Sequence, residues 1–257
     1  MPGLRKAQDV MPNFYMIRIL LTIIVLTFGL NTLGQKVTVD TLFVSRKEKF
    51  SNSQGENLKY PIIRTGNQNI DKVINRDMKV RFTRYDNQDI SLDSAFSNWT
   101  EKIIFLDFEV TYLKNGLISL NINSEGCGAY CSNWTDYFTY NYTTGEYLTI
   151  NRIIDTTGEF RGLVITDKDK QYERKSLELK EILTDDDGDF EKDTYDMVIE
   201  YYKDCSSTFQ FNSFALHDDY LEIIETCFLP NVIKSMRPLI ELKYKYTDIK
   251  KYLRIKN

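Results

Sequence analysis

Histidine is the scarcest chemically versatile side chain in this 257-residue sequence, which contains only His217. Catalytic zinc sites built on histidines need more than one, and Ser-His or Cys-His nucleophiles need one in a defined partnership. The sequence also lacks a Gly-x-Ser-x-Gly segment. It therefore offers no recognisable catalytic set, and we expect no metal and no organic cofactor.

Proline and glycine are sparse as well, with 5 and 12 residues, and no stretch is rich enough in them to form a linker. The remaining composition is typical of a globular protein, with 42% hydrophobic and 27% charged residues. We therefore expect one domain over residues 35–257, in which 35–155 and 156–257 are candidate subdomains.

Apolar runs are too short for a permanent membrane anchor. The longest, Ile19–Leu30, has about 12 residues, whereas a spanning helix needs about 20. Arg18 precedes it and small or polar residues follow, which is typical of a signal peptide at 1–34 with cleavage after Gly34. We expect an exported protein, periplasmic or secreted. The sequence leaves open whether Met1, Met11 or Met16 is the true start.

Positive charge is in deficit, with 33 basic and 37 acidic residues and a net charge of −4. The predicted signal peptide carries three basic residues and one acidic residue, so the rest of the chain has a net charge of −6. An acidic domain is a poor electrostatic partner for nucleic acid or for an anionic membrane. We expect neither as a partner.

Four cysteines are present, and an even number in an exported chain indicates disulfides. Three pairings are possible. We favour Cys127 with Cys131 and Cys205 with Cys227, because the second pair flanks a predicted hairpin. The Cys-x3-Cys spacing has no second matching pair, so it does not indicate a metal site.

Hydrophobic periodicity predicts an α+β fold in which an antiparallel sheet, a meander of hairpins, packs against two or three helices. Asn115-Gly116 supplies the positive φ angles of a tight hairpin turn, and Asn67 is placed to cap a helix. We predict strands at 37–43, 60–63, 105–113, 117–123, 134–142, 147–153, 209–214, 220–226 and 239–244, and helices at 68–83, 163–183, about 190–201 and 247–253.

Several of these segments are similar to one family. It is the extracytoplasmic domain of unknown function found in lysozyme-sensing anti-sigma factors of the RsiV type and ahead of the catalytic domain in some peptidoglycan deacetylases. The similar segments are Tyr60–Ile63, Asn69–Asn75, Phe108–Asn121, Gly128–Tyr130, Tyr140–Leu148, Leu229–Pro230 and Ile240–Leu253.

The resemblance implies an antiparallel sheet covered by helices. The resemblance predicts little about function, because the sequence shows no sigma-binding segment, no membrane span and no deacetylase domain. Relatives often have Gly-Ala-His where this chain has Gly128-Ala129-Tyr130. A role of that histidine therefore does not transfer.

The segment around Gly128-Ala129-Tyr130 is the best candidate for a surface site. Tyr130, Asn133, Trp134 and Tyr137 could contact a sugar or a protein, and a small disulfide would stiffen the loop. The alternative is that the aromatic residues belong to the core. The acidic stretch 185–189 does not fit a calcium loop, because Leu183 and Thr194 stand where carboxylates are required.

These features favour an exported, non-catalytic binding domain for a cell-envelope glycan or a secreted protein such as lysozyme. An alternative is a carboxylate-based envelope glycan hydrolase. That activity requires two acidic side chains within roughly 5 to 10 Å, at least one with a raised pKa. A third possibility is a purely structural envelope component.

Overall fold

The computed structural model describes residues 36–44, 58–84, 91, 92, 94, 95, 102–128, 130–184, 188 and 190–255. Two sequence predictions fall outside these residues. They concern the signal peptide at 1–34 and the four aspartates of the stretch 185–189.

A hairpin and a helix open the described part of the chain. Strands β1 (Thr38–Val44) and β2 (Leu58–Arg64) pair antiparallel, as predicted. Helix α1 (Gln68–Thr83) follows, and the side chain of its N-cap Asn67 accepts hydrogen bonds from the first-turn N–H groups. The helix ends at Arg84, which has a φ of 56°.

The central sheet contains three antiparallel strands, β3 (Lys102–Lys114), β4 (Leu117–Cys127) and β5 (Cys131–Asn141). Asn115 and Gly116 have φ angles of 56° and 80° and form the turn between β3 and β4. The predicted hairpin is therefore confirmed. Strand β3 has two register shifts, one between Ile103 and Phe105 and one between Val110 and Tyr112.

The predicted strand at 147–153 is wrong. Only Tyr147 bridges to β5, and Ile150–Ile153 forms the single helical turn α2. The reason is that Ile150, Ile153 and Ile154 are all buried, and this i, i+3, i+4 spacing matches a helical turn rather than a strand.

The carboxyl-terminal half contains the two long helices and a second three-stranded antiparallel sheet, in the order β6-β7-β8. Residues 209–213, predicted as extended strand, precede the short β6 instead. The elements are α3 (Glu159–Ile182), α4 (Lys192–Thr208), β6 (Phe214–Leu216), β7 (Tyr220–Ile224), a 3-10 helix (Asn231–Met236), β8 (Glu241–Lys245), α5 (Tyr246–Ile249) and a final 3-10 turn (Lys250–Tyr252).

Two hydrophobic cores stabilise these elements. The first lies among β1, β2, α1 and the central sheet, and the second among α3, α4 and the second sheet. Both draw on the central sheet, since Ile118 belongs to the first core and Leu117 to the second. The α+β class is confirmed, with three small sheets in place of the single sheet expected.

The two faces of the central sheet have different roles. Even-numbered residues of β4 and β5, such as Ile118, Leu120 and Phe138, face the first core. On the opposite face, β6 covers one end, where the Leu216 N–H donates to Ser119 Oγ at 3.1 Å. The rest of that face is only partly covered.

Candidate functional site

The partly covered end of the central sheet carries a row of polar side chains that we call the open face. The Thr135 hydroxyl donates to Asn123 Oδ1 at 2.8 Å, and Asn123 Nδ2 donates to Asn121 Oδ1 at 3.1 Å. Strand pairing places Tyr137 opposite Asn121. The open face consists of Glu109, Asn121, Asn123, Thr135 and Tyr137.

The β6–β7 connection borders the open face. There His217 forms a cluster with Tyr220 and Glu222 of β7. His217 stacks on Tyr220, with ring centroids 4.2 Å apart and planes 11° apart. His217 Nε2 lies 2.9 Å from Glu222 Oε2. Burial raises the pKa of Tyr137, and the negative charge of Glu222 raises it further. Because such an influence needs proximity, Glu222 and the cluster lie beside the open face. His217 is therefore held by Tyr220 and Glu222.

The structure does not bring the four predicted ligand-binding residues together. Tyr137 and Asn133 lie on the side of the open face, and Tyr130 lies in the β4–β5 connection with 68% of its surface exposed. Trp134 lies on the opposite side of β5 and packs against the first core. Trp134 therefore cannot share one ligand with Tyr137 across the sheet.

The β4–β5 connection is closed by a disulfide between Cys127 and Cys131, and a second disulfide joins Cys205 to Cys227. These are the two pairings that the sequence favours. Glu125 lies close to the sulfurs of the first disulfide. Disulfide sulfurs are not thiolates, so this trio is a poor metal site in the oxidised protein.

Sequence reasoning missed most of the open face. The available signal was the alternation in β4, where Asn121 and Asn123 interrupt the buried residues Leu120 and Ile122 at a period of two. Tyr220 and Glu222 reach the site only through the packing of β7. No local sequence pattern predicts that contact.

Raised carboxyl pKa values occur at two described positions, Asp136 and Glu225. Burial is the main cause at both. At Asp136 it is opposed by the charge of Arg84 and a hydrogen bond from Trp134, and at Glu225 by a hydrogen bond from Tyr172. No other carboxylate of the described residues contributes to the pKa shift of Asp136 or of Glu225. Burial, and not a neighbouring carboxylate, therefore raises these two pKa values.

Replacing Asp136 with asparagine is expected to stabilise the protein. Asp136 faces the first core, and its Oδ2 is buried without a hydrogen-bond partner in the described part of the chain. Because its pKa is raised on folding, the folded state loses stability as pH rises from about 4, the ordinary carboxyl value, through the raised pKa. We expect Asp136→Asn to add about 1 kcal/mol at pH 7 and less at pH 4, measured by thermal unfolding.

Asp155→Asn is the matched control, because hydrogen bonds from the Thr157 hydroxyl and N–H lower the pKa of Asp155. A lowered pKa contributes stability above the ordinary carboxyl value and loses it as pH falls. This variant is therefore expected to lose stability at pH 7 and to match the wild type in acid. An Asp136→Asn variant that follows the same direction would contradict the burial argument.

The solved structures that are similar to this chain include two of the DUF3298 family. One, from Bacteroides fragilis NCTC 9343, is 13% identical with a TM-score of 0.51, and the match covers 84% of this chain and 93% of that one. The other, from Pseudomonas aeruginosa PAO1, is 12% identical with a TM-score of 0.50 and covers 85% and 94%. Neither a protein-family model nor a curated protein matches the sequence.

At such low identity the two structures show a shared fold and nothing further. The chain thus has the α+β fold of DUF3298 proteins, a domain of unknown function. Among the described residues, no helix is long and apolar enough to cross a membrane. The two disulfides are compatible with an exported domain.

Proposed function

We propose that this protein is an exported, non-catalytic binding domain that engages a cell-envelope glycan through the open face. The observation that carries the proposal is the hydrogen-bonded series Asn121, Asn123 and Thr135 beside Tyr137. Amides and hydroxyls fixed on a strand pair can replace the water around sugar hydroxyls without reorganising. A partly exposed tyrosine supplies an apolar face for a sugar ring.

The borders of the open face suit the same ligand class. Glu109 is exposed, and the carboxylate of Glu222 is partly exposed, so both can accept hydrogen bonds from sugar hydroxyls. The His217–Tyr220 stack adds a second aromatic surface at the edge. Export is supported by the predicted signal peptide and by the two disulfides.

The test is binding of the purified protein to insoluble peptidoglycan in a pull-down, with the bound fraction measured over a range of protein concentrations. Tyr137→Ala and Asn123→Ala are each expected to weaken binding about tenfold, because each removes one aromatic contact or one fixed amide. Asn69→Ala, an exposed asparagine in α1, is the control and should bind as the wild type does.

If both open-face variants bind with wild-type affinity, the open face is not the binding site. If the wild-type protein is not retained, a glycan is excluded as the ligand. A lysozyme-coupled resin provides the parallel arm, since the resemblance to lysozyme-sensing anti-sigma factors makes lysozyme the best protein candidate. Release of soluble sugar from peptidoglycan by the wild-type protein would contradict the non-catalytic assignment.

A further inference from the structure

A groove of about 670 Å³ lies between the β1–β2 hairpin and α1. It shares no residue with the open face. Its volume falls in the range of small-molecule binding sites, about 300 to 1,000 Å³. The groove can therefore hold a ligand of that size independently of the proposed glycan site.

The charge of the groove is opposite to that of the whole chain. Lys72, Arg76 and Lys79 line it from α1 at i, i+4 and i+7, so they form one stripe on the helix, and Arg64 lines it from β2. The described part of the chain gives Lys72 and Arg76 neither an ion-pair nor a hydrogen-bond partner. Two exposed cations thus lie along the groove without a carboxylate partner among the described residues.

The carboxylate that lines the groove, Asp71, does not neutralise this stripe. Asp71 is buried, and its Oδ1 accepts hydrogen bonds from the Thr65 N–H and hydroxyl, both at 2.7 Å. Arg64 is paired outside the groove with Asp40 at 3.1 Å. Among the described lining residues, the charge left for a ligand is positive, and it comes mainly from Lys72 and Arg76.

The hairpin side of the groove is apolar. Leu42 and Phe43 of β1 are 41% and 58% exposed, so they present apolar surface to a ligand. Ile62 of β2 continues this surface, and Leu92 adds a buried apolar side chain. The groove thus has an apolar wall facing a cationic stripe.

From this pairing we infer that the groove binds an amphiphilic anion, with an apolar chain along Leu42, Phe43 and Ile62 and an acidic head group at Lys72 and Arg76. Carboxylate and phosphate heads share this chemistry, since each accepts charge-assisted hydrogen bonds from lysine and arginine. The tail loses contact with water against the apolar wall, which contributes affinity in proportion to the area buried.

The experiment is isothermal titration calorimetry of the wild-type protein with decyl phosphate and with decanoate, below the concentrations at which they form micelles. Decanol and inorganic phosphate are the head-less and tail-less probes. We expect binding of at least one anionic amphiphile, weaker by tenfold or more with either truncated probe. Binding should also weaken as salt concentration rises.

The double variant Lys72→Glu with Arg76→Glu is expected to weaken amphiphile binding at least tenfold. Its matched control is Lys170→Glu with Arg174→Glu, an exposed lysine and arginine at the same i, i+4 spacing on α3. The control should bind like the wild type. Leu42→Glu, on the exposed strand β1, tests the apolar wall and should also weaken binding.

Several results would overturn the inference. They are the absence of binding by both anionic amphiphiles, equal binding of inorganic phosphate, and wild-type binding by the Lys72→Glu, Arg76→Glu variant. Binding of an acidic peptide alone, with no binding of either amphiphile, would also overturn it. Glycan binding by Tyr137 variants is a separate measurement, so failure of one proposal leaves the other in place.

Discussion

Replacing Lys168 with methionine is expected to lower the free energy of unfolding by about 3 kcal/mol. Lys168 is 4% exposed, which is rare for lysine. Its ammonium group donates to the Ser206 carbonyl at 2.5 Å and to the Ser206 hydroxyl at 2.8 Å, near the carboxyl end of α4. Methionine keeps the apolar stem but leaves these partly buried acceptors without their cationic donor.

A cation near the carboxyl end of a helix stabilises it, because the last carbonyls lack partners within the helix. Lys168 is in α3 and Ser206 is in α4, so this one side chain ties the two long helices together. Its ion pair with Asp169 at 3.2 Å adds less, since Asp169 is 56% exposed and solvated. The expected loss therefore comes mainly from the Ser206 acceptors.

A pH series separates this explanation from simple loss of packing. Burial raises the pKa of Glu225, while the Lys168 charge opposes that rise. Without the lysine the folded-state pKa rises further, so stability falls more steeply as pH increases above about 4. The loss in Lys168→Met, measured by urea unfolding, should accordingly be larger at pH 8 than at pH 4.

Lys170→Met is the control for this prediction, because Lys170 is exposed on the same helix. Surface substitutions of this kind usually change stability by about 0.5 kcal/mol or less. Equal effects of the two substitutions, or a Lys168→Met loss independent of pH, would show that the buried ammonium does not link the helices as described.

Local chemistry explains why part of the fold could be predicted from the sequence. The Asn67 cap of α1 and the Asn115-Gly116 turn each depend on a few adjacent residues and one backbone requirement. The favoured cysteine pairs are also local, since one has a separation of 4 residues and the other flanks a predicted hairpin. For the first pair, strand register places Cys127 directly opposite Cys131.

The remaining features depend on contacts between distant residues. The Leu216 N–H bond to Ser119 Oγ joins residues 97 positions apart, and it fixes which end of the central sheet is covered. The two register shifts in β3 break simple alternation, so the face on which Glu109 lies is set by pairing with β4. The open face could not be assembled from the sequence because its borders come from such contacts.

The open face and the groove beside α1 also differ in how their residues are spaced along the sequence. Lys72 and Arg76 lie on one helix face, and their i, i+4 spacing is visible in the sequence. The groove itself is not visible, since its apolar wall comes from β1 and β2. A helix stripe can therefore be predicted where its opposing surface cannot.

Loss of the Cys205–Cys227 disulfide is the other large effect that we expect. The bond joins the end of α4 to the segment after β7, across a sequence separation of 22. Closing a loop of this length contributes about 3 kcal/mol in the chain-entropy description. The double variant Cys205→Ala with Cys227→Ala should lose about that much, measured by urea unfolding without reductant. Cys227 is 2% exposed, so lost packing adds to the effect.

The Cys127–Cys131 disulfide is the internal comparison, because its sequence separation is only 4. The same description gives about 2 kcal/mol for so short a loop. The double variant Cys127→Ser with Cys131→Ser should therefore be the more stable of the two. Treating the Cys205→Ala, Cys227→Ala variant with reductant should cause only the smaller, remaining loss. A reductant effect as large as that in the wild type would show that the bond between α4 and the segment after β7 does not stabilise the fold.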